Sequence, residues 1–257
     1  MVIYSNSRIS TFEQCHLKFK LKYIDNITPE TETSIEAYLG KCAHGTLEWL
    51  YNNVLEGNIP SMDKIISFYA DLWQKNFKEN FIIVNKTMTV KDYFNKGVGF
   101  LVNYYTKHCP FDDGTLECEK KIIIDLDGTG NYLVQGFIDR LVNNQKTGKI
   151  EIHDYKTANS LPTQEKIDND RQLMLYSIAI KEIFGYDKDV ILVWHYLAHN
   201  KKIYSITTNN QLERLKVETI NTIKRIELEK EFPHNKSRLC SWCEYKSLCP
   251  AWQNCKS

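Results

Sequence analysis

The sequence lacks several features that would assign it to a specialised class of protein. None of its apolar runs approaches the roughly 18 residues that a membrane-spanning helix needs. It has no internal repeat, no stretch of low complexity and no linker rich in proline or glycine. The phosphate-binding motif G-x-x-x-x-G-K-[ST] is also missing, so we expect no helicase motor within the chain. These absences favour one folded globular domain with no membrane partner.

Charge of one sign is not in excess either. The 257 residues include 33 Lys and Arg against 32 Asp and Glu, which gives a formal net charge of +1. Net charge therefore does not by itself indicate a nucleic-acid partner, although basic residues can still be concentrated locally. Residues 1–8 contain no charged region followed by an apolar one, so we expect no secretory signal and an intracellular protein.

Hydrophobic periodicity divides the chain into helices and strands. The capping-box pattern Ser10-Thr11-Phe12-Glu13 predicts a helix that runs from there to about Ile24. Further helices are predicted at about 35–56, 61–79, 89–108, 168–184 and 209–230, and strands at 116–126, 131–143, 149–156, 189–197 and 202–207. We expect a single α/β domain over residues 1–257, made of a helical subdomain (about 25–110), a core (about 111–208) and a C-terminal helix with a tail (about 209–257).

Three charged residues fall on two neighbouring strands of the predicted antiparallel meander. Asp139 lies near the end of a strand that is apolar on both faces, and Asp154 and Lys156 are two residues apart on the next strand. Strand alternation gives Asp154 and Lys156 a common face. Two carboxylates suit a divalent cation, and a lysine beside them can hold a water and neutralise charge on a phosphate. A buried Asp–Lys ion pair is the structural alternative.

Two helices carry further candidates. Gln172 and Tyr176 are one turn apart on the helix after the meander, so they share a face. His44 and Glu48 share a face of the early helix. A single helical histidine is more often a packing residue than a ligand, and Glu48 is interpreted as helix surface or support for the site.

The ordered series of these motifs resembles the RecB-type branch of the PD-(D/E)XK nuclease superfamily. The series consists of Gly40…His44, Gly136…Asp139, Asp154-Tyr155-Lys156 and Gln172…Tyr176, and the segment 7–15 also resembles the first segment of that branch. The resemblance spans residues 7–250. It implies a restriction-endonuclease-like core, αβββαβ with a mixed central sheet, to which a helical insert and a cysteine-cluster tail are added.

The resemblance also implies roles for individual residues. His44, Asp139, Asp154 and the backbone carbonyl of Tyr155 would bind Mn²⁺ or Mg²⁺. Lys156 would be the catalytic lysine, and Gln172 and Tyr176 would position the DNA strand or support the site. Relatives often carry an acid at the position of Glu119. A solvated strand charge explains that residue equally well, so we leave it outside the metal set.

The C-terminal tail is rich in cysteine. Four of the eight cysteines lie in the last 18 residues, in the pattern C-x2-C-x5-C-P from Cys240 to Pro250. Thiolates at such spacing bind zinc or an iron–sulfur cluster. Iron–sulfur RecB-like nucleases, including AddB-type nuclease domains and CRISPR-associated spacer-acquisition exonucleases, use one early and three late cysteines. The resemblance thus implies a [4Fe–4S] cluster on Cys15, Cys240, Cys243 and Cys249. The alternative is a local zinc site on Cys240, Cys243, Cys249 and Cys255.

The resemblance implies a metal-dependent deoxyribonuclease, an exonuclease that acts on single-stranded DNA or DNA ends and contains a structural cluster. DNA is the expected partner, together with a protein partner in a recombination, repair or CRISPR-adaptation complex. The expected location is the cytoplasm of a prokaryote or of a virus-infected cell. Two other functions stay open at this point: a non-catalytic scaffold that binds DNA ends on the same fold, and a structure-selective endonuclease.

Overall fold

The computed structural model describes residues 2–29, 34–77 and 80–253. Within these residues a mixed six-stranded sheet lies between two groups of helices. The strands are β1 (Tyr4–Ser5), β2 (Thr115–Asp125), β3 (Leu133–Asn144), β4 (Lys149–Lys156), β5 (Val190–Tyr196) and β6 (Lys201–Ile206). The α-helices are α1 (Asn6–Gln14), α2 (His16–Phe19), α3 (Ile35–Leu55), α4 (Met62–Lys75), α5 (Val90–His108), α6 (Gln164–Asp168), α7 (Arg171–Phe184), α8 (Asn209–Leu228) and α9 (Pro250–Gln253).

The predicted meander is confirmed, because β3 pairs antiparallel with both β2 and β4. After α7 the chain returns as β5, which lies parallel to β4, and β6 then pairs antiparallel with β5. A parallel pair joined through a helix is the βαβ arrangement of α/β proteins. The mixed sheet with flanking helices confirms the predicted α/β fold class.

One edge of β3 is shared between two strands. The short strand β1 pairs parallel with Val134 and Gln135, whereas β4 pairs with β3 only from Arg140 to Asn144. The opposite edge of β3 is occupied by β2 from Leu133 to Val142. Residues 136–139 therefore face a gap between β1 and β4, and Asp139 lies at the point where β4 separates from β3. Nothing in the sequence pattern predicted β1.

Two hydrophobic cores flank the sheet. One joins α1, α7 and α8 to the sheet through residues such as Phe12, Ile178 and Ile223. The other joins α3, α4 and α5 through residues such as Leu47 and Tyr69, and it also includes Tyr155 of β4. The division of the chain into helical subdomain, core and tail stays a prediction. None of the helices in the described ranges is long and apolar enough to cross a membrane.

The N-terminal helix begins earlier than the capping-box pattern predicts. Ser5 caps α1, since its hydroxyl accepts a hydrogen bond from the backbone N–H of Arg8 at 3.1 Å. The helix then stops at Cys15, whose extended backbone (φ −164°, ψ 113°) separates α1 from α2 and from the π-helical turn Lys20–Ile24 that follows. The prediction that Ser10 begins the helix was wrong. Ser10 and Glu13 instead accept hydrogen bonds from the Arg171 guanidinium at 2.9 and 2.8 Å, a tertiary contact that local spacing cannot reveal.

Candidate active site

The gap between β3 and β4 brings three of the predicted residues into contact. Where the strands separate, one carboxylate oxygen of Asp139 accepts a hydrogen bond from the backbone N–H of Tyr155 at 2.9 Å. His44 enters from α3, with Nδ1 3.2 Å from the same oxygen of Asp139 and Nε2 2.6 Å from the Tyr155 carbonyl. A predicted helical histidine, a strand carboxylate and a backbone carbonyl therefore share one corner of the site.

The His44–Asp139 contact shifts the pKa of both side chains. Burial by itself would lower the pKa of His44, but the hydrogen bond and the charge of Asp139 outweigh it, so the pKa is raised. In the same way burial would raise the pKa of Asp139, yet His44 holds it below its usual value. Both shifts favour an imidazolium–carboxylate pair. Because a metal ligand must be a neutral imidazole, a bound cation would take the place of that proton.

A second pair lies beside the first one. Lys156 Nζ is 2.6 Å from a carboxylate oxygen of Asp154, whose side chain is only 5% exposed. Burial raises the pKa of Asp154, and the nearby charge of Asp139 adds to that shift against the opposing effect of Lys156. A buried carboxylate beside a second carboxylate is costly unless cationic groups compensate. The pair is thus a place where additional positive charge is stabilised.

Helix α7 packs beside the Asp154–Lys156 pair and contacts Asp154 through Gln172. Gln172 Nε2 donates to Asp154 at 3.4 Å and lies 3.4 Å from the hydroxyl of Tyr176, which confirms that the two helical residues share a face. The ring of Tyr176 packs against Gly136 of β3, and a methyl group on Gly136 would overlap that ring. The glycine of the G-x-x-D motif therefore has no side chain where the ring of Tyr176 lies.

A cleft of about 610 Å³ opens between α3 and the sheet, and it includes His44 and Asp139 together with two more acids, Glu48 and Glu119. Burial raises the pKa of Glu119 to about 7, with further contributions from Asp139 and Glu48. Glu119 also has a left-handed backbone (φ 48°), and it lies between Cys118 and Lys120, the register partners of Arg140 and Ile138, so it is opposite Asp139. Glu119 thus lies beside Asp139 rather than on a solvated strand face.

The cysteines of the tail meet the N-terminal helices. Among the described residues one small cavity of about 50 Å³ is lined by all four of the predicted cluster ligands: Cys15, Cys240, Cys243 and Cys249. Backbone N–H groups of Asn235 and Ser237 donate to the sulfurs of Cys15 and Cys240 at 3.4 and 3.3 Å. Cys255, the fourth ligand of the alternative zinc site, lies outside the described residues.

Comparison with known proteins decides the family. A family model for the PD-(D/E)XK nuclease superfamily matches residues 4–250. The chain belongs to the PD-(D/E)XK nuclease superfamily. Nucleases of this superfamily use divalent metal ions such as Mg²⁺ or Mn²⁺ and act on DNA. A comparison with curated proteins finds no match.

Two solved structures match this chain, and the first of them is similar to it in fold. A protein from Eubacterium rectale described as a candidate exonuclease shares 13% sequence identity, and the match covers 99% of this chain and 88% of that one with a TM-score of 0.52. The crystal structure of SSO0001 matches over 63% of this chain and 74% of its own, with 19% identity and a TM-score of 0.38.

The predicted site residues are adjacent but do not form a finished metal site. Within the part of the nuclease that the structure describes, no three His, Cys, Asp or Glu side chains converge closely enough to bind one metal ion. His44 instead pairs with Asp139, and Asp154 pairs with Lys156. The ligand roles, the catalytic role of Lys156 and the cluster roles of the cysteines therefore stay predictions.

Sequence reasoning missed a buried polar network below the site. Arg140, next to Asp139, is fully buried and donates to the Tyr155 hydroxyl at 3.0 Å, to Asp113 at 2.6 Å and to His153 Nδ1 at 2.6 Å. His195 Nε2 lies 2.8 Å from the same nitrogen of His153. The network supports Tyr155, whose backbone contacts both His44 and Asp139. A charged arginine inside an apolar strand was the one signal in the sequence that could have indicated it.

Proposed function

We propose that this nuclease is a metal-dependent exonuclease that degrades single-stranded DNA or DNA ends. The observation that carries the proposal is the position of Asp139, Asp154 and Lys156, which lie in one gap between two diverging strands. Two neighbouring carboxylates and a lysine, of which Asp139 lines the cleft beside α3, provide the charges that phosphodiester hydrolysis requires. The similarity of fold to the candidate exonuclease from Eubacterium rectale is consistent with this activity.

The donor atoms fit a hard or borderline divalent cation. We assign His44, Asp139, Asp154 and the Tyr155 carbonyl as ligands, a mixture of oxygen atoms with one imidazole nitrogen that suits Mn²⁺ and Mg²⁺. When bound, such an ion lowers the pKa of water and neutralises phosphate charge. Lys156, held protonated by Asp154, would hold the attacking water and offset charge on the phosphate. Gln172 and Tyr176 would fix Asp154 and position the DNA strand.

We also assign a structural [4Fe–4S] cluster to Cys15, Cys240, Cys243 and Cys249, which places the protein in the iron–sulfur branch of RecB-like nucleases. The common cavity and the N–H groups directed at two of the sulfurs support this set. Each cysteine of a cubane cluster binds a different iron, so the four sulfurs need not converge on one point. The relation to AddB-type and CRISPR-associated enzymes, with a protein partner in repair, recombination or CRISPR adaptation, is part of the same proposal.

A time course on end-labelled linear and on circular single-stranded DNA with Mn²⁺ tests the activity. We expect the linear strand to be degraded and the circle to persist. Asp154→Ala and Lys156→Ala should abolish cleavage and still bind DNA, whereas Lys188→Ala, an exposed lysine before β5, should cleave normally. Cleavage of the circle would instead establish an endonuclease. DNA binding without any cleavage by the intact protein would establish the non-catalytic scaffold.

A further inference from the structure

A row of exposed side chains lies on the sheet directly beside the catalytic gap. Gly136 and Ile138 of β3 face α7 and its core, so strand alternation turns Phe137 to the opposite face. Phe137 is 48% exposed, although β3 is not an edge strand of the sheet. It is two residues from Asp139 and on the same face, which corresponds to about 7 Å along the strand.

The neighbouring strand completes this row with a cation and a second apolar side chain. Lys121 of β2 is the register partner of Phe137, and Ile123 is the register partner of Gln135. Lys121 and Ile123 are both exposed, with Ile123 at 50%. Residues directly opposite each other on antiparallel strands, and their diagonal neighbours, lie close enough to contact one ligand. An aromatic ring, an aliphatic side chain and a lysine thus form one patch next to the acids of the cleft.

The chemistry of this patch matches a nucleotide better than it matches a protein surface. A planar ring offers a stacking face to any base, and successive bases of a single strand bind proteins in this way. A lysine directly opposite the ring offers a point charge to the adjoining phosphate. The patch is continuous with the gap that holds Asp139, so a strand whose phosphate reaches the gap would extend across Phe137. Paired bases in a duplex do not expose their faces to such a ring.

We propose that Phe137 is a stacking platform for an unpaired base next to the scissile phosphate, and that Lys121 binds a phosphate on the same strand. This proposal rests on the nuclease activity proposed above and specifies its substrate: the strand must be single-stranded at the gap. A double-stranded end would have to unpair there before cleavage.

The test measures binding of two short fluorescent oligonucleotides of equal length, one with bases and one with only abasic residues. The Lys156→Ala protein is used so that the DNA stays intact. Phe137→Ala should weaken binding of the normal strand by about 5- to 100-fold and leave binding of the abasic strand unchanged. Phe137→Trp should retain normal affinity, whereas Phe137→Leu, which has no ring, should behave like Phe137→Ala.

Replacing Lys121 should change DNA binding in a different way from replacing Phe137. Lys121→Gln should weaken binding of both strands equally, and it should reduce the slope of log affinity against log salt by about 0.7. Tyr204→Ala and Lys201→Gln provide matched controls, because both residues are exposed on β6, away from the gap, and both variants should bind normally.

Three results would overturn the platform: normal binding by Phe137→Ala, equal losses for the normal and abasic strands, or full affinity in Phe137→Leu. The binding test and the cleavage assay can fail separately, so a failure of this proposal can be told apart from a failure of the proposed activity. If the intact protein cleaves no DNA but Phe137→Ala still loses only the base-dependent affinity, the exonuclease proposal fails and the platform stands. If cleavage depends on Lys156 and Phe137→Ala binds both strands normally, the exonuclease proposal stands and the platform fails.

Discussion

At the scale of single residues, Gly136 shows how a missing side chain shapes the site. The ring of Tyr176 occupies the space that a side chain would take, and Tyr176 in turn contacts Gln172, which donates to Asp154. The strand, the helix and the Asp154 carboxylate are therefore linked through one glycine. This is a requirement of packing, and it explains the glycine without any strained backbone.

Gly136→Ala should consequently affect both stability and cleavage. The added methyl group overlaps the Tyr176 ring, so we expect a loss of about 1 to 3 kcal/mol in the free energy of unfolding. Cleavage should fall as Gln172 loses its position. Gly99→Ala is the matched control, since nothing lies near its added methyl group in α5, and it should stabilise the helix by up to about 1 kcal/mol. Denaturant titration and the nuclease assay measure both effects, and a neutral Gly136→Ala would contradict this packing.

His44 should determine which metal ion works best. An imidazole nitrogen suits transition ions better than Mg²⁺, and Mn²⁺ accepts both nitrogen and oxygen ligands. We expect activity with Mn²⁺ at least equal to that with Mg²⁺, and a smaller advantage of Mn²⁺ in His44→Ala. Cleavage rates measured over a range of each ion test this directly. A clear preference of the intact enzyme for Mg²⁺ would count against His44 as a ligand.

At the scale of elements, the C-terminal tail docks onto the first helical segment through several contacts. Leu17 N–H donates to the Pro233 carbonyl at 3.1 Å, Lys18 pairs with Glu244 at 2.8 Å, and the Tyr245 hydroxyl donates to the Ile27 carbonyl at 3.0 Å. None of these contacts involves a cysteine. The tail is therefore held to the N-terminal segment by ordinary bonds as well as by the proposed cluster.

Loss of one cluster ligand should remove the metal and loosen both segments. Protein purified without oxygen should be brown and absorb near about 400 nm, as iron–sulfur proteins do. Cys15→Ala should lose this colour and become more sensitive to protease in both segments. Cys255→Ser and the exposed Cys109→Ser should keep it. One zinc and no iron, with Cys255 rather than Cys15 required, would establish the local zinc site instead.

The elements also show what the sequence can predict. Helices α3 and α5 and strands β2 to β4 lie within about two residues of their predicted bounds, because each carries a clear periodicity between turn or cap signals. Ser10, Glu13 and Cys15 resisted prediction because their conformation depends on partners far along the chain, such as Arg171 and Asn235. Strand β1 has only two residues, which is too short to show the alternation of apolar and polar residues that identifies a strand. The motif residues could be found, and the Asp154–Lys156 ion pair was one of the predicted alternatives, but the pairing of His44 with Asp139 was not predicted.

At the scale of the whole molecule, the buried network below the site should make stability depend on pH. The half-buried His108 of α5 lies beside His195 of this network, with the ring centroids 5.5 Å apart. Desolvation, followed by the charges of Lys202 and Arg140, lowers the pKa of His108 to about 3, and burial with Arg140 also lowers the pKa of His153 and His195. These histidines are neutral in the folded protein but gain protons in the unfolded chain below about pH 6.5. The folded state therefore loses stability as the pH falls below that value.

His108→Gln should flatten this dependence. Each histidine that stays neutral in the folded protein contributes a slope of up to about 1.4 kcal/mol per pH unit between roughly pH 6.5 and its folded pKa. Unfolding free energies measured from pH 7 to pH 5 should fall less steeply in His108→Gln than in the wild type. His234→Gln, which removes an exposed histidine, should leave the slope unchanged. Equal slopes in all three proteins would show that His108 is protonated in the folded state.

The docking of the tail onto α1 and α2 also has a consequence for the order of events during synthesis. The bond between Asn235 and Cys15 joins residues 220 positions apart, so the ribosome must add 220 further residues before the partner of Cys15 exists. At typical elongation rates the synthesis of these residues takes roughly 10 to 45 seconds, and Cys15 has no such partner during that time. A chain that stops before Asn235 would contain all six strands of the sheet but could not form this contact. The first helical segment can therefore reach its final packing only after the whole sheet has been synthesised.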